Sequence, residues 1–321
     1  MERTAPPGIP RRRPFVGASC ELSALTLTVG RSPGPTDTNA AVALLRRARE
    51  AGITTFDTVE SPDPDLGEAL LARAFPDGDP NIVVLAHGRP PRAPTPGARA
   101  PSVQSPVTAL ADSGPRRGHA AAPQRLRHVY ELEIAEISGS TGSAPGTQPG
   151  EVEVLRCRSV DDLDRAALLP GPRLLSGSFS LLDRSLGETS TRRLEPGSYS
   201  WIVRDPFAAG RLDASRFAAG SSAIPASAPR TVRELEAEFE PVARLGFLAR
   251  PRQRTLAQAA LHFVLGHPWV VSACIPAPAP ERWTEIVGFA TSPPLDDQDK
   301  VRLGLASGHA RPRAEGAGGP R

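Results

Sequence analysis

Short apolar runs alternate with amphipathic segments along most of the chain. Eight runs, apolar or alternating and bounded by turn residues, predict parallel strands at 24–29, 53–56, 81–86, 128–137, 152–157, 174–181, 201–203 and 270–275. Apolar residues at helical spacing predict helices at 39–48, 66–75, 160–169, 233–248, 255–265, 281–289 and 296–305. Strands that alternate with helices are typical of an α/β fold with a parallel sheet. The 321 residues suffice for one (β/α)8 TIM barrel, which needs roughly 250.

The clearest strand–helix unit spans residues 51–75. Gly52 ends a helix, Ile53–Phe56 forms a buried strand, and Asp57 stands at the carboxyl end of that strand, before a loop broken by prolines. Functional residues of a TIM barrel lie at the carboxyl ends of its strands. Asp57 is therefore the first candidate for a functional residue.

The regular pattern breaks in two places. Residues 88–124 contain eight prolines and no helical period, and residues 139–150 read as a flexible linker. The third and fourth βα units are therefore predicted to be degraded, with low-complexity loops in place of their helices. We expect one barrel over residues 21–306, a flexible segment over 1–20 and a disordered tail over 307–321.

Composition narrows the function classes. The chain has 38 basic and 35 acidic residues, a net charge of +3 and no basic stripe interleaved with aromatics, so we expect no nucleic-acid partner. No apolar run approaches 18 residues, so we expect no membrane span. Three widely spaced cysteines fit a reducing compartment and a cytoplasmic protein with no metal site. P-loop, GxGxxG, GxSxG, HExxH and CxxC motifs are absent from the sequence.

Three pairs of segments resemble, in order and spacing, those of the aldo-keto reductases: 52–58 with 66–70, 180–184 with 205–212, and 255–265 with 272–276. The resemblance implies a (β/α)8 barrel, an NADP(H) cofactor and a small-molecule carbonyl substrate. It also implies a catalytic tetrad of Asp, Tyr, Lys and His, in which the tyrosine protonates the carbonyl oxygen as hydride arrives.

The chain departs from that tetrad at three of its four positions. Asp57 matches the family aspartate, but the tyrosine position falls on Pro62 and the histidine position near Ser138–Ser140. The lysine position falls near Ala86 or His87, and Lys300 is the only lysine of the chain. The resemblance therefore implies a divergent homologue that lacks the standard Tyr, Lys and His.

The cofactor positions are also altered. By resemblance, the residues that would contact NADP(H) are Ser159, Ser176, Phe179 and Arg282. The family's glycine turn after the last strand is replaced by Ala277, and Pro278 and Pro280 lack the amide N–H that a phosphate needs nearby. We therefore expect NADPH to bind weakly.

Asp57 and His87 form the candidate catalytic pair. His87 shares the alternation of Val83 and Leu85, and its strand is predicted to neighbour that of Asp57, so the two side chains could meet at equal height as a general acid or base. The alternatives are a histidine packed at the pocket rim and an aspartate that caps a helix or pairs with an arginine. Arg204 and Asp205 could pair with each other.

Three hypotheses follow. The first is an NADP(H)-dependent oxidoreductase in which His87, supported by Asp57, is the substitute acid. The second is a pseudo-reductase, a binding or scaffold protein with a possible protein partner. The third is a cofactor-free barrel enzyme, such as a lyase or isomerase, that uses Asp57, Glu60 and His87. Titration with NADPH separates the first hypothesis from the other two.

Overall fold

The computed structural model describes residues 13–15, 21–29, 37–59, 64–87, 126–134, 153–169, 173–213 and 231–305. A short antiparallel hairpin, β1 (Arg13–Pro14) and β2 (Glu21–Leu22), precedes a closed barrel of eight parallel strands. These are β3 (Leu25–Thr28), β4 (Thr55–Asp57), β5 (Val83–His87), β6 (Arg127–Glu133), β7 (Glu153–Arg156), β8 (Arg173–Ser178), β9 (Tyr199–Arg204) and β10 (Val270–Pro276). β10 pairs with both β9 and β3, so the barrel closes as predicted.

Helices surround the barrel. Those described are α1 (Thr38–Glu50), α2 (Pro64–Ala74), α3 (Val160–Leu168), α4 (Ser185–Arg193), α5 (Val232–Arg244), α6 (Leu256–Leu265), α7 (Trp283–Val287) and α8 (Asp297–Arg302). Short 3-10 turns cover Gly246–Leu248, Pro280–Arg282 and Gly288–Ala290. The segments after β5 and β6, where the sequence predicts that two helices are missing, lie outside the described residues, as does the tail.

Helix α4 is absent from the sequence prediction. Its sequence, SLGETSTRR, carries one large apolar side chain, and it buries Leu186, Gly187 and Ser190 against the barrel. A helix that packs through glycine and serine leaves no apolar periodicity for a sequence pattern to detect. α1 also begins differently from the prediction, because Asp37 is its N-cap and accepts a hydrogen bond from the Ala40 amide at 2.8 Å.

The barrel separates two apolar clusters. The outer one fills the space between strands and helices, and the inner one fills the barrel with residues such as Val83, Leu85, Val129, Val154, Leu174 and Ile202. Phe15 and Leu22 join the inner cluster from the hairpin region, and Arg13 donates hydrogen bonds of 2.9 Å to the carbonyls of Leu265 and Val270. Residues 13–15, which belong to the segment predicted to be flexible, thus contact the barrel.

The interior changes character toward the carboxyl ends of the strands. Successive residues of a strand face opposite sides of the sheet. Two positions beyond the inner apolar residues of four strands, the same alternation brings polar side chains to the interior: Glu131, Arg156, Ser176 and Arg204. This polar layer positions the candidate site. No helix in the part of the chain that the structure describes is long and apolar enough to cross a membrane.

Candidate functional site

Four charged side chains from four strands meet inside the carboxyl end of the barrel. Asp57, Arg156 and Arg204 are the last residues of β4, β7 and β9, and Glu131 lies two residues before the end of β6. Arg204 Nη1 donates to Asp57 Oδ2 at 2.7 Å, and Arg204 Nη2 donates to Glu131 Oε2. Arg156 Nη1 donates to Glu131 Oε1 at 3.0 Å. The four residues form a chain of alternating charge, called here the ion-pair chain.

Two further hydrogen bonds hold Asp57. The Thr28 hydroxyl donates to Asp57 Oδ2 at 3.3 Å, and the Val59 amide donates to Asp57 Oδ1 at 3.3 Å. Arg204 Nη1 and Thr28 thus share one carboxylate oxygen, and Val59 binds the other. The carboxylate is fixed between the barrel interior and the start of the loop that follows β4.

Burial makes these ion pairs important for the stability of the fold. The side chains of Asp57, Glu131 and Arg204 are 0%, 1% and 4% exposed, whereas that of Arg156 is 18% exposed. A charge taken out of water is costly unless an opposite charge compensates it. The ion-pair chain contains two carboxylates and two guanidinium groups, so it is neutral as a whole. It can be buried for that reason.

Arg204, the cation that pairs with both carboxylates, limits the chemistry of the ion-pair chain. A guanidinium keeps its proton at any pH that a folded protein tolerates, so Arg204 can orient and neutralise carboxylates but cannot act as a general acid near pH 7. Arg204 therefore supplies a fixed positive charge beside Asp57. It does not supply a transferable proton.

The two terminal nitrogens of Arg204 bond to residues other than Asp205. Arg204 turns into the barrel toward Asp57 and Glu131, and Asp205 Oδ1 accepts a hydrogen bond from the Ala209 amide at 2.6 Å. Asp205 has a positive φ of 56° and begins a tight loop in which Ala209 is also left-handed. Strand alternation explains the difference, because neighbouring residues at the end of β9 point to opposite sides. Of the alternatives for Asp57, the structure shows the arginine partner.

The prediction that Asp57 and His87 lie at equal height on neighbouring strands is wrong. In the β4–β5 ladder Asp57 lies beside Leu85, and His87 lies two residues further along, beside Glu131 of β6. The stagger of strands in a closed barrel produces this offset. The backbone of His87 is described but its side chain is not, so a role for His87 stays a prediction.

Two residues expected to contact a cofactor have structural roles. Ser159 is the exposed N-cap of α3, where its hydroxyl accepts from the Asp162 amide at 3.3 Å in a capping box. Phe179 is fully buried in the outer cluster, where its ring centroid lies 5.1 Å from that of Phe263 and 5.0 Å from that of Trp269. A ring enclosed in the core cannot stack on a ligand.

The other two expected cofactor residues are placed differently. Ser176 is fully buried on β8, beside Arg156 of β7, and its hydroxyl has no hydrogen-bond partner among the described residues. Arg282 forms an ion pair of 2.8 Å with Glu285 and lies 3.9 Å from Asp213. Two carboxylates thus already surround the guanidinium that would hold a phosphate. A role of these four residues in NADP(H) binding stays a prediction.

Cys157, next to Arg156, is not a nucleophile. Burial raises the pKa of Cys157 to about 12, and the negative charges of Asp162, Glu131 and Glu133 add to the rise. The thiol is therefore protonated and unreactive at neutral pH. Within the described ranges, no group of three or more metal-binding side chains converges on a point.

The ion-pair chain is the feature that sequence reasoning missed. Each strand that contributes to it ends on a charged residue within or after an apolar run, and a charge in such a run signals a buried partner elsewhere. That signal marks Glu131, Arg156 and Arg204 as candidates. It does not say which residue each one pairs with, because the partners are up to 147 residues apart.

Comparison with known proteins supports the fold. No family model and no curated protein matches the chain. An aldo-keto reductase of Bacillus halodurans in its holo form is 15% identical, with 92% of this chain and 95% of that chain covered and a TM-score of 0.59. A glycerol dehydrogenase of Gluconobacter oxydans is 14% identical, with coverages of 90% and 94% and a TM-score of 0.60. An aldo-keto reductase of Klebsiella pneumoniae, in complex with NADP and acetate, is 13% identical, with coverages of 90% and 92% and a TM-score of 0.52. The predicted (β/α)8 barrel of aldo-keto reductase type is confirmed.

Proposed function

We propose that this barrel is a pseudo-reductase, a protein descended from NADP(H)-dependent carbonyl oxidoreductases that now binds a ligand or a protein partner without reducing it. Descent is supported by the three pairs of resembling segments and by the match of the whole fold to aldo-keto reductases. The single observation that carries the proposal is the buried ion pair between Arg204 and Asp57.

Carbonyl reduction depends on a proton donor at the site. Reduction of a carbonyl group needs an acid that gives a proton to the oxygen as hydride arrives at the carbon. Among the partners of Asp57 are Arg204, Thr28 and the Val59 amide, and near neutral pH none of these three groups releases a proton readily. The aspartate now serves to neutralise Arg204. In this site Asp57 compensates a positive charge and does not support proton transfer.

The cofactor side supports the same proposal. Phe179 is enclosed in the core, and Arg282 is engaged by Glu285. Both would have to leave these contacts to bind NADP(H). The buried cysteines Cys157 and Cys274 fit a reducing compartment, and we propose that the protein is cytoplasmic.

A reductase with His87 as its substitute acid is the second candidate. It is favoured by the solved Klebsiella pneumoniae enzymes of the same fold, which are in complex with NADP and with NADPH. In that case Asp57 and His87 would both be needed for turnover.

One experiment separates the two candidates. NADPH is titrated into the protein while its intrinsic tryptophan fluorescence is recorded, and NADPH oxidation at 340 nm is then followed with a panel of aldehydes and ketones. We expect no saturation at micromolar NADPH and no oxidation above the rate without protein. The Klebsiella pneumoniae reductase, assayed in the same buffers, is the positive control. Turnover that disappears in both Asp57→Asn and His87→Gln would establish the reductase instead.

A further inference from the structure

A polar pocket of about 440 Å³ lies at the other end of the barrel from Asp57. Its wall contains the last turns of α3 and α4 and the starts of β8 and β9: Ala167, Arg173, Arg193, Leu194, Glu195 and Ser198. Along β9, Tyr199 beside this pocket and Arg204 in the ion-pair chain are five residues apart, which is roughly 17 Å. The pocket is therefore separate from the site described above.

Arg173 is the unusual residue of this pocket. It is the first residue of β8, and its amide donates to the Ser198 carbonyl at 3.0 Å, which fixes its backbone. Leu175 lies in the outer cluster, so strand alternation turns the side chain of Arg173 toward the helices. Within the described part of the chain no carboxylate pairs with Arg173, and its buried Nε has no hydrogen-bond partner.

The guanidinium of Arg173 is partly buried and has no counter-charge among the described residues. Burial lowers the pKa of Arg173, because desolvation disfavours the charged form and no acidic group offsets it. The guanidinium nevertheless stays charged, since an arginine side chain cannot be deprotonated under ordinary conditions. A guanidinium has five N–H donors and no acceptor, so a bound anion would stabilise it.

Arg193 can complete such a site. Its Nη1 donates to Asp164 Oδ1 at 2.7 Å, which holds this second guanidinium at the pocket wall, and its side chain is 51% exposed. The Ser198 hydroxyl donates to the Glu195 carbonyl at 2.7 Å and therefore supplies no further donor to the pocket. The carboxyl ends of α3 and α4 carry partial negative charge, which accounts for a cation near them. It does not account for an Arg173 side chain that donates to no carbonyl.

We propose that this pocket binds a small oxyanion, the phosphate or carboxylate group of a small molecule, with Arg173 as the principal ligand and Arg193 as the second. Both groups present paired oxygen atoms that match the planar guanidinium fork. A volume of about 440 Å³ lies within the range of small-molecule sites and exceeds what a single anion needs, so the anion would be one end of the ligand. This inference goes beyond the pseudo-reductase function and does not depend on it.

Calorimetric titration tests the proposal, with inorganic phosphate and succinate as probes at fixed ionic strength. The proteins are wild type, Arg173→Gln, Arg193→Gln and Arg192→Gln. Arg192 is the matched control, because it is an exposed arginine of the same helix that does not line the pocket. We expect saturable binding of at least one probe to wild type, binding at least tenfold weaker in Arg173→Gln, severalfold weaker in Arg193→Gln, and unchanged binding in Arg192→Gln.

The two probes distinguish a phosphate ligand from a carboxylate ligand. If neither probe saturates the wild-type protein, the proposal is overturned. It is also overturned if Arg173→Gln binds as tightly as wild type, or if Arg192→Gln loses as much affinity as Arg173→Gln. Circular dichroism checks that each variant is folded. Should Arg173→Gln fail that check, Arg173→Lys and Arg193→Gln replace it, and unchanged affinity in both would equally refute the site.

Discussion

Replacing Arg204 with methionine tests whether the ion-pair chain holds the barrel together at its carboxyl end. The substitution keeps much of the side-chain volume and removes a cation that pairs with both Asp57 and Glu131. Glu131 keeps Arg156, whereas Asp57 keeps the hydrogen bonds from Thr28 and Val59. Asp57 thus stays buried and loses the guanidinium that pairs with it.

The expected loss in the free energy of unfolding follows from the burial of Arg204 and Asp57. Breaking a buried ion pair from one side costs about 3–5 kcal/mol, because the remaining charge loses its compensation. Total stabilities of folded proteins are about 5–15 kcal/mol, so the loss is a large fraction. A chain of this size loses about 2 °C of Tm per kcal/mol, which gives a fall of roughly 6–10 °C.

Urea unfolding followed by circular dichroism measures the effect. Arg158→Met is the control, since Arg158 pairs with Glu133 at the same end of the barrel but is 66% exposed, and it should cost under about 1 kcal/mol. The double variant Asp57→Asn/Arg204→Met should recover part of the loss, because it removes the stranded charge. The reasoning fails if Arg204→Met costs no more than the control, or if the losses of Asp57→Asn and Arg204→Met simply add.

Three further predictions concern the rest of the barrel. Glu68 raises the pKa of His128 through a 3.3 Å contact, so this pair should stabilise the fold fully below pH 6 and less as pH rises through the folded-state pKa; thermal melts of His128→Gln should lack that pH dependence. Gly187→Ala should destabilise the protein by about 1–3 kcal/mol in urea, because the new Cβ would lie 2.4 Å from the Phe179 ring. Cys157 should resist a thiol reagent at pH 8 until the protein is unfolded, as mass spectrometry of labelled peptides can show; rapid labelling of the native protein would contradict its burial.

The order of strands and helices could be predicted from the sequence. A parallel strand buried on both faces must be apolar at nearly every position, and this made runs such as 53–56 and 270–275 recognisable without any structure. Asp57 was found for a related reason, because it directly follows such a run. The prediction failed at α4, whose contacts with the barrel are made by small and polar residues that carry no hydrophobic period.

The partners of the charged residues were decided by the tertiary structure alone. A sequence shows that Asp57 and Arg204 lie at the ends of strands and Glu131 near one, but the stagger of the closed barrel decides which of them lie at the same height. Because of that stagger, His87 lies two residues beyond the level of Asp57. Arg204, which is 147 residues away in sequence, lies against Asp57. Local pattern determines the face and the end of each strand, because both depend only on alternation. Contact across the barrel depends on how eight strands close together, which no single segment encodes.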